Sequence, residues 1–341
     1  MKLYAGIDLH SNNSYVTVID KTEKIVYQKR IENDLKLLLK ELAPYQERLE
    51  DVVVESTYNW YWLVDGLQEA GYRVRLAHTL GNQQYSGKKY TDDKSDAEWL
   101  ARLSCLKILK EGHIYPKEKR GLRELLRRRL LLVRQQTRNV LGIQALITRY
   151  ENVRISASQI KNCQEAEEKK MLSYIKDNDV RLATQSQLKV LRVIIEQISI
   201  LEKAILSKIK KDAVFKLLKT VPGVGDILAM TILLETGSIN RFKSAGCYSS
   251  YCRCVGSKRI SNEKKKGKNN SKNGNAYLAW AFIEAANCAV RAYEPIKCYY
   301  QRKMQKTHRV LALKVVASKL AKACYFMLRD GVNFNMAKLF F

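Results

Sequence analysis

Residues 3 to 104 alternate short apolar runs with amphipathic segments in an order that few folds accept. Apolar runs near 3–9, 14–20 and 24–31 predict three strands in a meander. A helix near 34–49, a strand at 51–55, a helix near 60–70, a strand at 73–77 and a helix from about 92 are predicted to follow. Four acids occupy marked places in this pattern. Asp8 lies within the first strand and Glu55 ends the run Asp51-Val52-Val53-Val54-Glu55. Asp93 and Asp96 open the last helix, where a spacing of three puts both on one face. Carboxylates at strand ends and on one helix face can converge on a small volume, where cations offset their repulsion.

A meander followed by alternating helices and strands is the order of an α/β ribonuclease-H-like domain, expected over residues 1–114. The four acids then read as a nuclease-type centre in a strongly basic chain. The 341 residues carry 61 Lys and Arg against 34 Asp and Glu, a formal net charge of +27. Each phosphate neutralised by such a surface releases condensed counterions, so nucleic acid is the expected partner. The opening Met1-Lys2-Leu3-Tyr4-Ala5 reads directly into a strand and lacks a signal-peptide pattern. No apolar run approaches the ~20 residues of a membrane span, and a cytosolic protein with no membrane partner is expected. Cys247, Cys252 and Cys254 cluster without zinc-ribbon spacing, so free thiols and no structural metal are expected there. His10, His78, His113 and His308 read as ordinary polar positions, and Tyr58, Trp60, Tyr61 and Trp62 as domain core or interface.

Residues 115–212 change character and predict a coiled-coil insertion. Leu122, Leu126, Leu130, Val133, Val140 and Ile147 alternate with a basic face carrying Arg127, Arg128, Arg129, Arg134 and Arg138. A second helix near 185–211 spaces Leu188, Leu191, Ile195, Ile198, Leu201, Ile205 and Ile209 at helical intervals. Packing on their own domain, self-association and nucleic-acid contact are the alternatives for this pair.

Residues 213–341 predict a mainly α-helical domain. Leu217 to Leu228, with Gly223 and Gly225 at its turn, reads as a helix-hairpin-helix whose amides accept a phosphate, or as a plain helical turn. The loop from Ser257 to Asn275 holds Lys258, Arg259, Lys264, Lys265, Lys266, Lys268 and Lys272 around Ser257, Ser261 and Ser271. A charge run is usually a solvated loop. A hydroxyl among cations can also attack a phosphodiester while they stabilise the developing charge.

Gly6-Ile7-Asp8, Val54-Glu55-Ser56-Thr57, Asp93-Lys94-Ser95-Asp96-Ala97, Val221-Pro222-Gly223-Val224-Gly225, Arg241-Phe242, Ser261 and Ser271-Lys272-Asn273-Gly274-Asn275 occur in this order. Together they resemble the DEDD insertion-sequence transposases, a family that includes pilin-gene invertases and bridge-RNA-guided recombinases. The resemblance implies a RuvC-like domain, a coiled-coil insertion used in assembly and a C-terminal transposase domain. It implies that Asp8, Glu55, Asp93 and Asp96 bind Mg2+, with Mn2+ as an alternative, and that Ser261 forms a phosphoserine link to DNA. It further implies double-stranded donor and target DNA, a noncoding guide RNA, a homo-oligomer (dimer or tetramer) and a bacterial, nucleoid-associated setting. Asn262-Glu263 stands where relatives show a glycine pair, and Arg253-Cys254-Val255-Gly256 departs from a Gly-Leu-Val-Pro-like stretch, so Ser257 remains a second nucleophile candidate. Asp92 adjoins the quartet, but the Asp-x-x-Asp-Ala match selects Asp93.

Three other readings compete. The opening also resembles the first phosphate loop of actin-like ATPases, against which stand His10 in place of a loop glycine and the basic excess. The acids of a non-catalytic binding protein would only pair with Lys and Arg. A resolvase-like endonuclease would keep the acids and use water as its nucleophile.

Overall fold

The computed structural model describes residues 1–82, 92–257, 259–267 and 273–340, without the side chains of Lys265 and Phe340. The chain divides into two compact units, Met1–Lys117 and Glu118–Phe341. No helix among the described residues is long and apolar enough to cross a membrane.

In the first unit, β1 (Leu3–Leu9), β2 (Asn13–Asp20) and β3 (Ile25–Glu32) form the meander. They are followed by α1 (Leu35–Leu42), β4 (Leu49–Glu55), α2 (Tyr61–Glu69), β5 (Val74–Ala77), α3 (Thr79–Asn82) and α4 (Asp93–Cys105). The sheet order is β3-β2-β1-β4-β5, antiparallel through β3, β2 and β1 and parallel through β1, β4 and β5. The helix expected over 34–49 stops at Leu42 and tightens into a 3-10 turn, Ala43–Arg48. Pro44 accounts for this, because it lacks the N–H that a continuing α-helix needs.

Strand parity decides what faces what. Leu3, Ala5, Ile7 and Leu9 of β1, with Val52 and Val54 of β4, join the main core, where Leu38 and Leu42 of α1 and Leu63, Val64 and Leu67 of α2 pack. The alternate residues turn to the other face, where Tyr4 packs with Ala101, and Val53 with Leu100, of α4. Gly6 belongs to this second set. A Cβ there would lie 2.0 Å from the Ala97 carbonyl oxygen and 2.6 Å from the Ala101 nitrogen, so the helix backbone rests directly on β1. At its other end α4 is tied down by the Ser104 hydroxyl, which donates to the buried Asp51 carboxylate at 2.8 Å. Asp51 is in turn paired with Arg75 at 2.9 Å and Arg73 at 3.3 Å.

The second unit begins with a long helix, α5 (Lys117–Glu151), and returns through α6 (Ala157–Lys161), α7 (Glu165–Ser173) and α8 (Asn178–Ile209). Asp177 caps α8, which starts earlier than the sequence spacing predicts. Arg129 hydrogen-bonds Glu202 at 2.7 Å, and Gly142 lies against Gln187, so α5 and α8 run antiparallel. Away from the rest of the unit, Val140, Ile143 and Ile147 pack with Val180, Leu188 and Leu191 in a small core of their own. Leu126, Ile205 and Ile209 belong instead to the larger core.

That larger core gathers α9 (Ala213–Leu218), α10 (Asp226–Thr236), α11 (Ala245–Tyr251), α12 (Ala276–Ala292), α13 (Glu294–Met304) and α14 (Arg309–Asp330). The short helix α15 (Met336–Phe340) follows. The hairpin of β6 (Arg259–Ser261) and β7 (Lys264–Gly267) projects between α11 and α12 in sequence.

Replacing Gly6 with Val forces α4 off the sheet, because the obstructing atoms are backbone. The substitution should cost at least about 3 kcal/mol, the upper end of overpacking effects. Urea unfolding checks this, and an unchanged midpoint would contradict the contact.

Candidate metal centre and serine loop

Asp8 and Glu55 occupy the same parity class as Gly6, so both side chains stand on the face that α4 covers. β1 is the middle strand, which leaves Asp8 only 4 % exposed. α4 then brings its N-terminus to the strand ends. Asp92 caps it, accepting from the Ser95 amide at 2.8 Å while the Ser95 hydroxyl accepts from the Asp92 amide at 2.9 Å. This fixes the role of Asp92, whose carboxylate is held below its ordinary range by the Ser95 hydrogen bonds. Asp93 and Asp96 follow in the first turn, where the helix dipole favours negative charge.

These residues meet. Burial pushes the Asp8 carboxyl up to about 7, a hydrogen bond shared with Glu55 and repulsion from Glu55 and Asp96 push the same way, and His10 opposes them. Glu55 and Asp96 also line one pocket of about 160 Å3, together with Thr79, Asn82 and Trp99. Asp93 approaches from the other side through His10, whose Nε2 lies 3.1 Å from Asp8 Oδ2 and 3.3 Å from Asp93 Oδ2. One ligand atom each from Asp8, His10 and Asp93 falls within a 4.8 Å span. The four sequence-predicted acids thus gather around Asp8.

His10 is the site residue that sequence reasoning passed over. It has no His or Cys partner at ligand spacing, yet it stands two residues beyond Asp8, just past the end of β1, and that closeness is the signal that would have found it. Its Nε2 is buried and makes no hydrogen bond among the described residues, despite the two nearby carboxylates. An orphaned nitrogen among hard oxygen donors fits a divalent cation. Tyr58, three residues after Glu55, is 83 % exposed, whereas Trp60 and Trp62 pack against the sheet core.

In the second unit, Ser261 ends β6 and is exposed, with Lys264 opposite it in the ladder. Asn262 and Glu263 both take positive φ, 49° and 59°, as the turn of a tight hairpin requires. Arg259, Lys264 and Lys266 are exposed on the same hairpin, and Ser257 is half-buried before it. Lys258, Lys268, Ser271, Lys272 and the side chain of Lys265 lie outside the described residues. The loop's far end is anchored by Gly274, at φ 95°, whose carbonyl accepts two hydrogen bonds from Arg253 at 3.0 and 2.8 Å. Asn275 caps α12 and donates to Glu235 Oε2 at 2.7 Å.

Glu235 is also unannounced by any motif. It is 1 % exposed and receives Arg127 at 2.7 and 2.9 Å and Arg123 at 3.2 Å. Burial alone raises its carboxyl, but the Arg127 hydrogen bond, the two guanidinium charges and Asn275 outweigh that and hold it below its ordinary range. Arg127 and Arg129 are thus engaged by Glu235 and Glu202, while Arg128 is exposed and pairs only with Glu124 one turn away among its described ion pairs. Arg127, Arg128 and Arg134 line an open pocket of about 240 Å3 with Tyr277. At the α9–α10 turn, Gly223 takes φ 79° and lies against the α12 backbone, where a Cβ would meet the Ala285 oxygen at 2.2 Å. Gly225 is open and caps α10, whose first residue, Asp226, pairs with Lys219 at 2.6 Å.

Two family models match the chain. One, described as a transposase of the IS110 DEDD type, covers residues 5–152 and so includes all four acids. The other, described as "Transposase IS116/IS110/IS902 family", covers residues 215–301 and includes the serine hairpin. The chain belongs to the IS110-type DEDD transposases. A "Probable family 20 transposase" of Pseudomonas aeruginosa is 22 % identical over 294 residues, 84 % of this chain and 83 % of that relative. The first match spans the first compact unit and continues along α5 into the second, and the other lies wholly within the second.

Because Glu235 titrates below its ordinary value of 4.5 when folded, its stabilisation is complete above that pH and fades as pH falls through the folded value. Glu235→Gln should cost about 3–5 kcal/mol at neutral pH by stranding buried guanidinium charge. The gap between wild type and variant should narrow as pH falls from about 6 to 3. Urea titrations at several pH values test this, and a gap independent of pH would refute it.

Proposed function

We propose that this transposase cleaves and rejoins double-stranded DNA through a divalent-metal centre at Asp8, Glu55, Asp93 and Asp96 and a phosphoserine intermediate on Ser261. The observation that carries the reading is the convergence of four carboxylates around Asp8 on the α4 face of the sheet. The strand order, with a meander joined in parallel to two further strands, supports an RNase H-like (RuvC-like) first domain. Asp8, Glu55, Asp93 and Asp96 would hold Mg2+, or Mn2+ in its place, which would supply Lewis-acid stabilisation of charge at the scissile phosphate. The carboxylates hold that cation while the basic chain holds the DNA backbone. Ser261 Oγ attacks phosphorus, forming the serine–phosphate bond as the bond to one strand end breaks. The hydroxyl proton passes to a solvent base and the released end leaves as a free hydroxyl. Reversal with a new strand end conserves the phosphodiester energy. Lys264, opposite Ser261, supplies positive charge beside the reacting phosphate.

The remaining assignments extend this reading. Residues 115–212 act as a coiled-coil assembly module between the catalytic domain at 1–114 and the transposase domain at 213–341. The small separate core shared by α5 and α8 supports that partition. On α8, Leu182, Val190, Val193 and Ile200 are 48–66 % exposed along one side, which supports a dimer or tetramer. The Arg127–Arg128–Arg134 pocket with Tyr277 suits a nucleic-acid backbone, and an element-encoded guide RNA is the proposed occupant. The basic hairpin and the Gly223–Gly225 turn are proposed DNA contacts, with Gly225 the residue open to a phosphate. Such a protein works at the nucleoid, in the bacterial cytoplasm.

Asp8→Ala should abolish Mg2+-dependent cleavage of element-end DNA while leaving DNA binding within about threefold. Wild type should also yield a covalent DNA adduct that Ser261→Ala abolishes. Clean hydrolysis without an adduct would replace the recombinase reading with a water-using endonuclease, and adduct on Ser257 would move the nucleophile.

For the RNA proposal, Arg128→Glu is the informative substitution, because reversing Arg127 or Arg129 breaks internal pairs. It should weaken RNA retention about three- to tenfold and flatten its salt dependence by about one phosphate contact. Unchanged filter binding across a salt series would exclude Arg128 from the interface.

A further inference from the structure

We infer that His10 is a nitrogen ligand of the metal centre, which makes this site selective for a transition-metal ion such as Mn2+ over Mg2+. The inference rests on the metal reading of the carboxylates above and adds a donor of different chemistry.

The geometry points to co-ligation rather than to hydrogen bonding. His10 Nε2 stands 3.1 Å from Asp8 Oδ2 and 3.3 Å from Asp93 Oδ2, distances at which a ring N–H would normally donate to one of them. Neither contact counts as a hydrogen bond, and the buried nitrogen has no other hydrogen-bond partner among the described residues. Neighbouring ligands at right angles around an ion with bonds near 2.1 Å sit about 3 Å apart. The Asp8–His10–Asp93 spacings match that separation, and the three donors lie within one ion's reach of each other.

The backbone beneath His10 is built to hold it there. Its amide donates to the Asn13 carbonyl at 3.0 Å, closing the β1–β2 turn. Its carbonyl accepts from Asn33 Nδ2 at 2.9 Å and from Asn59 Nδ2 at 3.0 Å. Asn33 is oriented by the buried Ser14 hydroxyl at 2.7 Å, and Asn59 by Thr57 at 2.9 Å. Two side-chain amides from separate loops thus clamp one carbonyl, fixing the position from which the imidazole reaches the carboxylates.

Ligand type then sets preference. Mg2+ takes oxygen donors and keeps waters, whereas imidazole suits transition ions and raises their affinity relative to Mg2+. A centre with one imidazole among carboxylates accepts both ions and favours the softer one.

The test uses the full chain, Mn2+ alone as probe, and electron spin-echo spectroscopy alongside calorimetry. Wild type should show 14N modulation on bound Mn2+, and His10→Gln should remove it. The same variant should weaken Mn2+ binding about 10- to 100-fold and Mg2+ binding about threefold or less. Labelling histidine with 15N should convert the modulation in the unmutated chain, which keeps the test independent of any folding defect in the variant. Mn2+ bound without nitrogen modulation, or modulation that persists in His10→Gln, overturns His10 as a ligand and leaves the carboxylate centre standing. Failure of wild type to bind Mn2+ at all overturns both.

Discussion

The absence of a side chain at Gly6 governs the first unit. Helix and strand backbones touch there, and the contact lowers α4 until its first turn reaches the ends of β1 and β4. Had the strand carried even an alanine, the helix would stand off and Asp93 would leave the neighbourhood of Asp8. The second tie, from Ser104 to the buried Asp51, fixes the helix along its length, so that it neither slides nor rolls. Packing energy spread over Tyr4, Val53, Leu100 and Ala101 thus holds together charges that would otherwise repel. The N-terminal end of the helix dipole and the Asp92–Ser95 cap assist by making that end hospitable to anions.

Two buried carboxylates in this chain meet opposite fates, and the contrast bears on function. Glu235 is surrounded by two guanidinium groups and an amide, so its charge is fully compensated and its proton affinity falls. Asp8 is equally withdrawn from water, but its strongest neighbours are Glu55, Asp96 and a histidine, and its proton affinity rises to about 7. In a protein with 61 Lys and Arg, compensation by an arginine was readily available. Glu235 has that partner, and among the described residues Asp8 does not. The first arrangement is a structural joint between α5, α10 and the start of α12. The second is a cluster of donors that a divalent cation would complete, with the bound proton as its competitor.

Much of the first unit was legible because its signals are local. Alternation along β1 and β4 places Asp8 and Glu55 on one face, and a spacing of three aligns Asp93 with Asp96, without knowledge of any distant contact. The missing parts depend on long-range geometry. Gly6 stands out in the sequence only as part of Gly6-Ile7-Asp8, and nothing nearby says that Ala97 will rest on it. Arg127, Arg128 and Arg129 look equivalent on a helical wheel, yet two of them meet acids more than 70 residues away and one does not. Gly223 invites a phosphate reading, while its close neighbour is the backbone of α12. His10 was passed over for a different reason: ligand spacing was sought along the chain, whereas its partners come from β1 and from α4.

The departure at Asn262-Glu263 can now be given a physical meaning. Both residues adopt the left-handed conformation that a two-residue hairpin turn demands, and glycine satisfies that demand without strain. Asparagine tolerates it well and glutamate less so. The hairpin tip thus carries residues less suited to that conformation than glycine. What the turn preserves is register: Ser261 stays opposite Lys264, with both side chains on one face of the ladder. A one-residue slip in register would turn the hydroxyl to the opposite face, away from the lysine.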